Sequence, residues 1–89
     1  MDSGPARARV YGYAPDDPDG YAREGRAYVA LKGGPLDGLL LDITGEQPAE
    51  LADGALLVND LGTYGAGGRS DYVPDGSGEQ VWIWRGDRP

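Results

Sequence analysis

Residues 28–43 read YVALKGGPLDGLLLDI, and this stretch decides the fold. On its N-terminal side Val29 and Leu31 share one face of an alternating run, and on its C-terminal side Leu39 and Leu41 do the same. Alternation with a period of two is typical of β-strands. The residues between the runs favour a turn, because glycine adopts positive φ, proline presets φ and aspartate closes an Asx turn. The stretch therefore predicts a β-hairpin, with turn residues Gly33, Gly34, Pro35, Asp37 and Gly38.

The chain beyond this hairpin predicts one helical turn and three further strands. Thr44 and Gln47 have the spacing of a capping box, and Gly54 stands where a left-handed residue ends a helix. The strands and their connections follow in the order 55–58, the loop 59–68, 69–73, the turn 74–78 and 79–85. We therefore expect a mainly β fold, a five-stranded antiparallel meander that curls into a small open barrel or roll.

The first 25 residues form a different kind of segment. They are rich in proline, glycine and charge, and their only large apolar side chains are those of Val10, Tyr11, Tyr13 and Tyr21. So few side chains do not repay the conformational entropy of ordering the backbone. We expect an extended N-terminal arm at 1–25, flexible unless it docks on the domain or on a partner. A small β domain at 26–86 and a frayed tail at 87–89 complete the predicted organisation.

The composition argues against most catalytic and nucleic-acid-binding chemistry. The chain has 15 acidic and 8 basic residues, a net charge of −7, and neither Cys nor His. Acidic charge opposes binding to phosphate backbones, and the usual general base and the commonest zinc ligands are missing. We expect no enzyme, no catalytic or metal-binding residue, no cofactor and no nucleic-acid partner. No apolar run has the length of a membrane span and no apolar signal segment begins the chain, so we expect no membrane partner and a cytoplasmic location.

Both faces of the predicted last strand are apolar. Trp82 and Trp84 alternate onto one face, and Val81 and Ile83 onto the other. Three alternatives remain open for the tryptophan face: barrel curvature or the arm covers it, a protein partner covers it, because Trp and Tyr dominate binding hot spots, or it is a platform for a small molecule or sugar. In the second alternative Val81 and Ile83 fill the core. The predicted protein-binding residues are Trp82, Trp84, Tyr28, Tyr11, Tyr13 and Tyr21.

The turn sequence GGPLDG at 33–38, Tyr72 with Val73, and the aromatic strand at 81–84 together carry a resemblance. The chain resembles small uncharacterised proteins of actinobacteria and their phages, which have a GGPxDG turn between two early strands. The resemblance covers about two-thirds of the chain, and its motif is a turn without catalytic residues. It implies a lineage, with phage-type accessory proteins as one context, and it implies no activity.

These features predict a non-enzymatic structural or accessory module that binds a protein partner or self-associates into an oligomer. A phage-like or bacterial assembly is one expected setting, in which case the chain is incorporated into a phage-like particle. The alternative is an acidic inhibitor of the immunity-protein or antitoxin kind, which covers a basic active site by charge complementarity.

Overall fold

The fold is a curled sheet with one short helix, as the alternating sequence predicts. The computed structural model describes residues 8–14, 16–76 and 80–89. Within them the elements are, in chain order, β1 (Tyr28–Lys32), β2 (Leu40–Asp42), α1 (Pro48–Ala52), β3 (Ala55–Val58), β4 (Arg69–Pro74) and β5 (Val81–Arg88). The strands form one sheet shaped as a half-barrel, so the mainly β class and the open-barrel architecture are confirmed. The predicted start of the last strand at Glu79 lies outside the described residues.

The strands are arranged in the order β2-β1-β5-β4-β3. Three neighbouring pairs are antiparallel, as predicted, whereas β1 and β5 run parallel with Ala30 opposite Val81. A simple meander is therefore wrong at one position, because β5 lies between β1 and β4. The eight-residue strand β5 pairs on both sides at the centre of the sheet, while the short strands β2 and β3 form its edges.

Strand β5 extends further than predicted. Ser70 pairs with Asp87 and Arg69 with Arg88, so the prediction of a frayed tail is wrong for Asp87 and Arg88. The register shifts at Asp71 and Tyr72, which leaves Arg85 as an extra residue on β5. Such a bulge bends the strand and increases its twist, which helps a short sheet to curl.

The core lies on the concave side of the sheet and is built around two aromatic rings. Its buried members are Val29, Leu31, Leu36, Leu57, Tyr72 and Trp82. Trp82 is only 5% exposed, whereas Ile83 points to the opposite side and is 38% exposed. Of the alternatives for the tryptophan face, cover by the curl of the sheet holds for Trp82, whereas the alternative in which Ile83 fills the core and Trp82 projects outward is wrong. The chain has no Phe and few large aliphatics, so the volume inside the curl is filled by Trp and Tyr.

The predicted turn is anchored to the core by Tyr72. The Tyr72 hydroxyl donates to the Gly33 carbonyl oxygen at 2.6 Å and accepts from the Leu36 amide at 3.0 Å. Burial raises the pKa of Tyr72, which keeps the hydroxyl protonated for this role. Gly34 has a φ of +64° and leaves no room for a Cβ, because the Trp84 ring lies against it. The turn residues are predictable from the sequence, whereas their hydrogen bonds to Tyr72 are not.

The N-cap of the short helix lies three residues after the predicted N-cap, Thr44. The Gln47 amide donates to the Glu50 side chain at 3.0 Å, so Gln47 is the N-cap residue. Thr44 instead accepts from the Ala27 amide at 2.8 Å and closes the end of the β1–β2 hairpin. Gly54 has a φ of +73°, which confirms the predicted left-handed residue after the helix.

Replacement of the two tryptophans separates core from surface. We expect Trp82→Ala to lower the free energy of unfolding by about 3–5 kcal/mol, because it removes a buried ring and leaves a cavity. Trp84 is 40% exposed, and we expect Trp84→Ala to cost about 1 kcal/mol. Urea denaturation followed by circular dichroism measures both. Equal losses of stability would contradict the placement of Trp82 in the core.

Removal of one hydroxyl tests the anchor of the turn. We expect Tyr72→Phe to destabilise the protein by about 1–3 kcal/mol, because the Gly33 carbonyl and the Leu36 amide lose their partner. The matched control is Tyr64→Phe in the exposed loop 59–68, which we expect to change stability by less than about 0.5 kcal/mol. Thermal denaturation of both variants is the measurement, and a Tyr72→Phe protein as stable as the control would contradict the anchor.

Candidate functional site

The described part of the N-terminal arm pairs with the sheet. The Tyr11 amide donates to the Leu40 carbonyl at 2.7 Å, and the Leu40 amide donates to the Arg9 carbonyl at 2.8 Å. Val10, between them, is 4% exposed. Residues 9–11 therefore extend the sheet beyond the edge strand β2. This docking on the domain supplies contacts that compensate for the conformational entropy lost when this part of the arm is ordered.

Tyr11 connects the two open edges of the half-barrel. Its backbone lies beside β2, while its hydroxyl donates to the Val58 carbonyl of β3 at 2.6 Å. Burial raises the pKa of Tyr11, and the hydrogen bond to Val58 opposes this shift. The protonated phenol is thus the link that brings the arm to the far side of the sheet. Tyr11 was predicted as a binding residue, and the structure places it at this closure.

An apolar groove of about 520 Å³ lies along the closure, and we call it the seam groove. Its walls come from the arm, from the turn after β1 and from the loop after β3. The lining residues are Arg9, Val10, Tyr11, Gly12, Tyr13, Leu36, Leu39, Asn59, Asp60 and Leu61. Leu61 is largely exposed, so the groove opens to solvent beside the end of β3.

A second, smaller pocket of about 190 Å³ collects three of the predicted binding tyrosines. This tyrosine pocket is lined by Val10, Tyr13, Tyr21, Arg23, Arg26, Tyr28 and Asp42. Its charged groups already have partners within the chain: Arg26 Nε donates to Asp42 Oδ2 at 2.5 Å, and Arg23 Nη2 lies 3.6 Å from Asp19 Oδ1. Hydrogen bonds from Thr44, followed by the Arg26 contact, lower the pKa of Asp42 to about 2. Asp42 is therefore a permanently charged partner of Arg26 and is unsuited to proton transfer near neutral pH.

The convex outer side of the sheet carries an exposed apolar band. Leu56 and Val58 of β3 are 46% and 58% exposed, and Ile83 of β5 lies on the same side. Val73 is paired with Ile83 and stands diagonally next to Leu56, at a distance at which side chains on one face of a sheet interact. The outer-face band, defined as Leu56, Val58, Val73 and Ile83, thus runs from the centre of the sheet to its edge.

A polar network ties the loop 59–68 to the end of β5. Asp87 accepts from the Thr63 amide at 2.8 Å, from the Ser70 hydroxyl at 2.7 Å and from Trp84 Nε1 at 3.0 Å. These hydrogen bonds lower the pKa of Asp87 to about 2, and the bond from the Thr63 amide has the largest effect. Ser70 is fully buried and donates to a carboxylate, so its hydroxyl has a structural role.

The six predicted binding residues do not form one surface. Trp82 belongs to the core, and Trp84 is partly exposed beside the Gly33–Gly34 turn. Tyr11 lies in the seam groove, while Tyr13, Tyr21 and Tyr28 line the tyrosine pocket. The outer-face band was not predictable from the sequence, because a continuous apolar run such as that at 55–58 is typical of a strand buried on both faces.

Comparisons with known protein families, with curated proteins and with solved structures find no match. Among the described residues, no group of three or more His, Cys, Asp or Glu side chains is placed to hold a metal ion. Over the same residues, no helix is long and apolar enough to cross a membrane.

Acid titration tests the polar network around Asp87. Its pKa is lowered from 3.8 to about 2 in the folded protein, so its stabilising contribution is present above pH 3.8 and is lost as the pH falls towards 2. We expect Asp87→Asn to be less stable than the parent at neutral pH and to show a shallower fall in melting temperature over this acidic range. The exposed Asp16→Asn is the control and should keep the parent's profile. An unchanged acid profile in Asp87→Asn would contradict the network.

Proposed function

We propose that this protein is a non-enzymatic structural or accessory module that binds another protein, in the setting of a bacterial or phage-like assembly. The observation that carries the proposal is the outer-face band. Three large aliphatic side chains stand exposed on one side of the sheet, although the chain has few aliphatics to spare for its own core. Contiguous exposed apolar groups on a small protein mark surfaces that contact other molecules.

The arrangement of charge supports the same proposal. With a net charge of −7, the chain repels other acidic proteins and attracts basic ones at long range. The band supplies the apolar contact and the net charge of the chain supplies the long-range attraction. The described carboxylates with strongly shifted pKa values, Asp42 and Asp87, are engaged in structural hydrogen bonds.

The second candidate function is an acidic inhibitor of the immunity-protein or antitoxin kind. The net charge favours it, because such a protein covers a basic active site through complementary charge. The two functions differ in what dominates the contact. Screening by salt weakens a charge-dominated complex strongly and an apolar contact only slightly.

Photo-crosslinking in the host cell tests the proposed function. Benzoylphenylalanine replaces either Ile83 or Leu56 of the band in the full chain, and Glu46, exposed before α1, is the matched control position. We expect one protein adduct from both band positions and none from Glu46. Mass spectrometry identifies the adduct, and repetition in high salt separates an assembly partner from a basic target of inhibition. Absence of a specific adduct from both band positions would contradict a protein-binding function.

A further inference from the structure

Within residues 8–14, 16–76 and 80–89, strand β3 is an edge strand with one unpaired side. Among these residues it pairs only with β4, with Leu57 opposite Ser70 and Ala55 opposite Tyr72. The Asn59 amide donates to the Gly68 carbonyl at 3.1 Å, which identifies the odd-numbered residues as those whose backbone groups point to β4. By alternation, the backbone groups of Leu56 and Val58 point to the free edge.

Three of these four backbone groups are open within the described part of the chain. The Val58 carbonyl accepts from Tyr11, but no backbone bond reaches the Val58 amide or either group of Leu56. Proteins usually protect such an edge with lysine, proline or a bulge. The segment Ala55–Val58 contains no lysine or proline, and its pairing with β4 has an unbroken register.

The charges beside β3 select what can pair with it. Asp53 precedes the strand and Asp60 follows it, and both are exposed. If two copies of β3 paired antiparallel, Asp53 of each copy would approach Asp60 of the other. Like charges opposite each other destabilise a strand pair, and the net charge of −7 adds repulsion between whole molecules. A strand with cationic ends instead meets a carboxylate at each end.

We propose that the free edge of β3 binds an extended segment of a partner protein by strand addition, and that this segment has apolar residues flanked by Lys or Arg. The inference rests on the proposed function and specifies its partner. The amide of Val58 and the amide and carbonyl of Leu56 form the ladder, while the aliphatic side chains of β3 contact the apolar residues of the segment. Asp53 and Asp60 each lie two residues outside β3, so a segment of about seven residues that pairs along the strand places one cation near each carboxylate.

The seam groove offers the segment an anchor beyond the strand. It adjoins the end of β3 at Asn59 and Asp60 and is lined by Leu36, Leu39 and Leu61. An apolar side chain of the segment that enters this groove is removed from water, which favours one direction and register over the others.

A synthetic peptide of sequence KVTVTVK is the probe, added to the full ¹⁵N-labelled chain and followed by NMR. We expect the amide signals of Leu56 and Val58 to shift. The peptide EVTVTVE, and a KVTVTVK peptide N-methylated at alternate residues, should bind at least about tenfold more weakly, because they lack the charge and the ladder respectively.

Two matched protein variants locate the site. Val58→Lys places a cation at the edge of β3, and Ala22→Lys places the same cation at an exposed position that belongs to neither the outer-face band nor the seam groove. We expect Val58→Lys to weaken KVTVTVK binding at least about tenfold and Ala22→Lys less than about twofold. Thermal denaturation confirms that both variants fold, as their exposed positions predict.

Several outcomes would overturn the inference. They are equal binding of the cationic and acidic peptides, equal loss of binding in the two variants, or absence of shifts at Leu56 and Val58. Sedimentation that shows a dimer of the chain alone, dissociated by Val58→Lys, would assign the edge to a second copy instead. Photo-crosslinks from Ile83 that persist under any of these outcomes would leave the protein-binding function intact, so the two failures are distinguishable.

Discussion

The hydroxyl of Tyr72 joins the centre of the core to the turn that sets the first hairpin. Because it contacts both Gly33 and Leu36, it fixes the turn from the concave side and holds Leu36 among the buried side chains. The ring belongs to β4, whereas the turn lies between β1 and β2, so one side chain links strands that are not neighbours in the sheet. In a chain with so small a core, the curl of the sheet depends on this contact.

The local sequence pattern was sufficient to predict strand pairs whose two strands are close in sequence. The alternation in residues 28–43 predicted the β1–β2 hairpin and its turn, and short apolar runs predicted the other strands to within a few residues. The parallel contact of β1 with β5 was not predictable in this way, because it joins segments about 50 residues apart. Periodicity also places Trp82 and Trp84 on one face without saying whether that face is concave. Which face becomes concave depends on the volume of the core, and only the assembled sheet defines that volume.

The arm shows how a weak segment gains order. Alone it cannot repay the entropy of its backbone, yet Val10 fills a place beside β2 and Tyr11 reaches β3. The sheet in turn gains protection of the β2 edge and a link across its opening. Arm and sheet are therefore energetically coupled, although composition alone suggests a boundary between them at residue 25. The predicted binding tyrosines divide accordingly between closure of the half-barrel and the tyrosine pocket.

The two edges of the half-barrel are treated differently, and the difference bears on specificity. The β2 edge is covered by backbone pairing with residues 9–11, which removes it from competition with other chains. Among the residues that the structure describes, only Tyr11 bonds to the free edge of β3, at the Val58 carbonyl, and Asp53 and Asp60 flank the strand. Steric protection excludes every partner alike, whereas charge excludes acidic chains and favours cationic ones. Negative charge at this edge therefore opposes pairing between copies of the acidic chain, and the same charge distinguishes a cationic segment from all others.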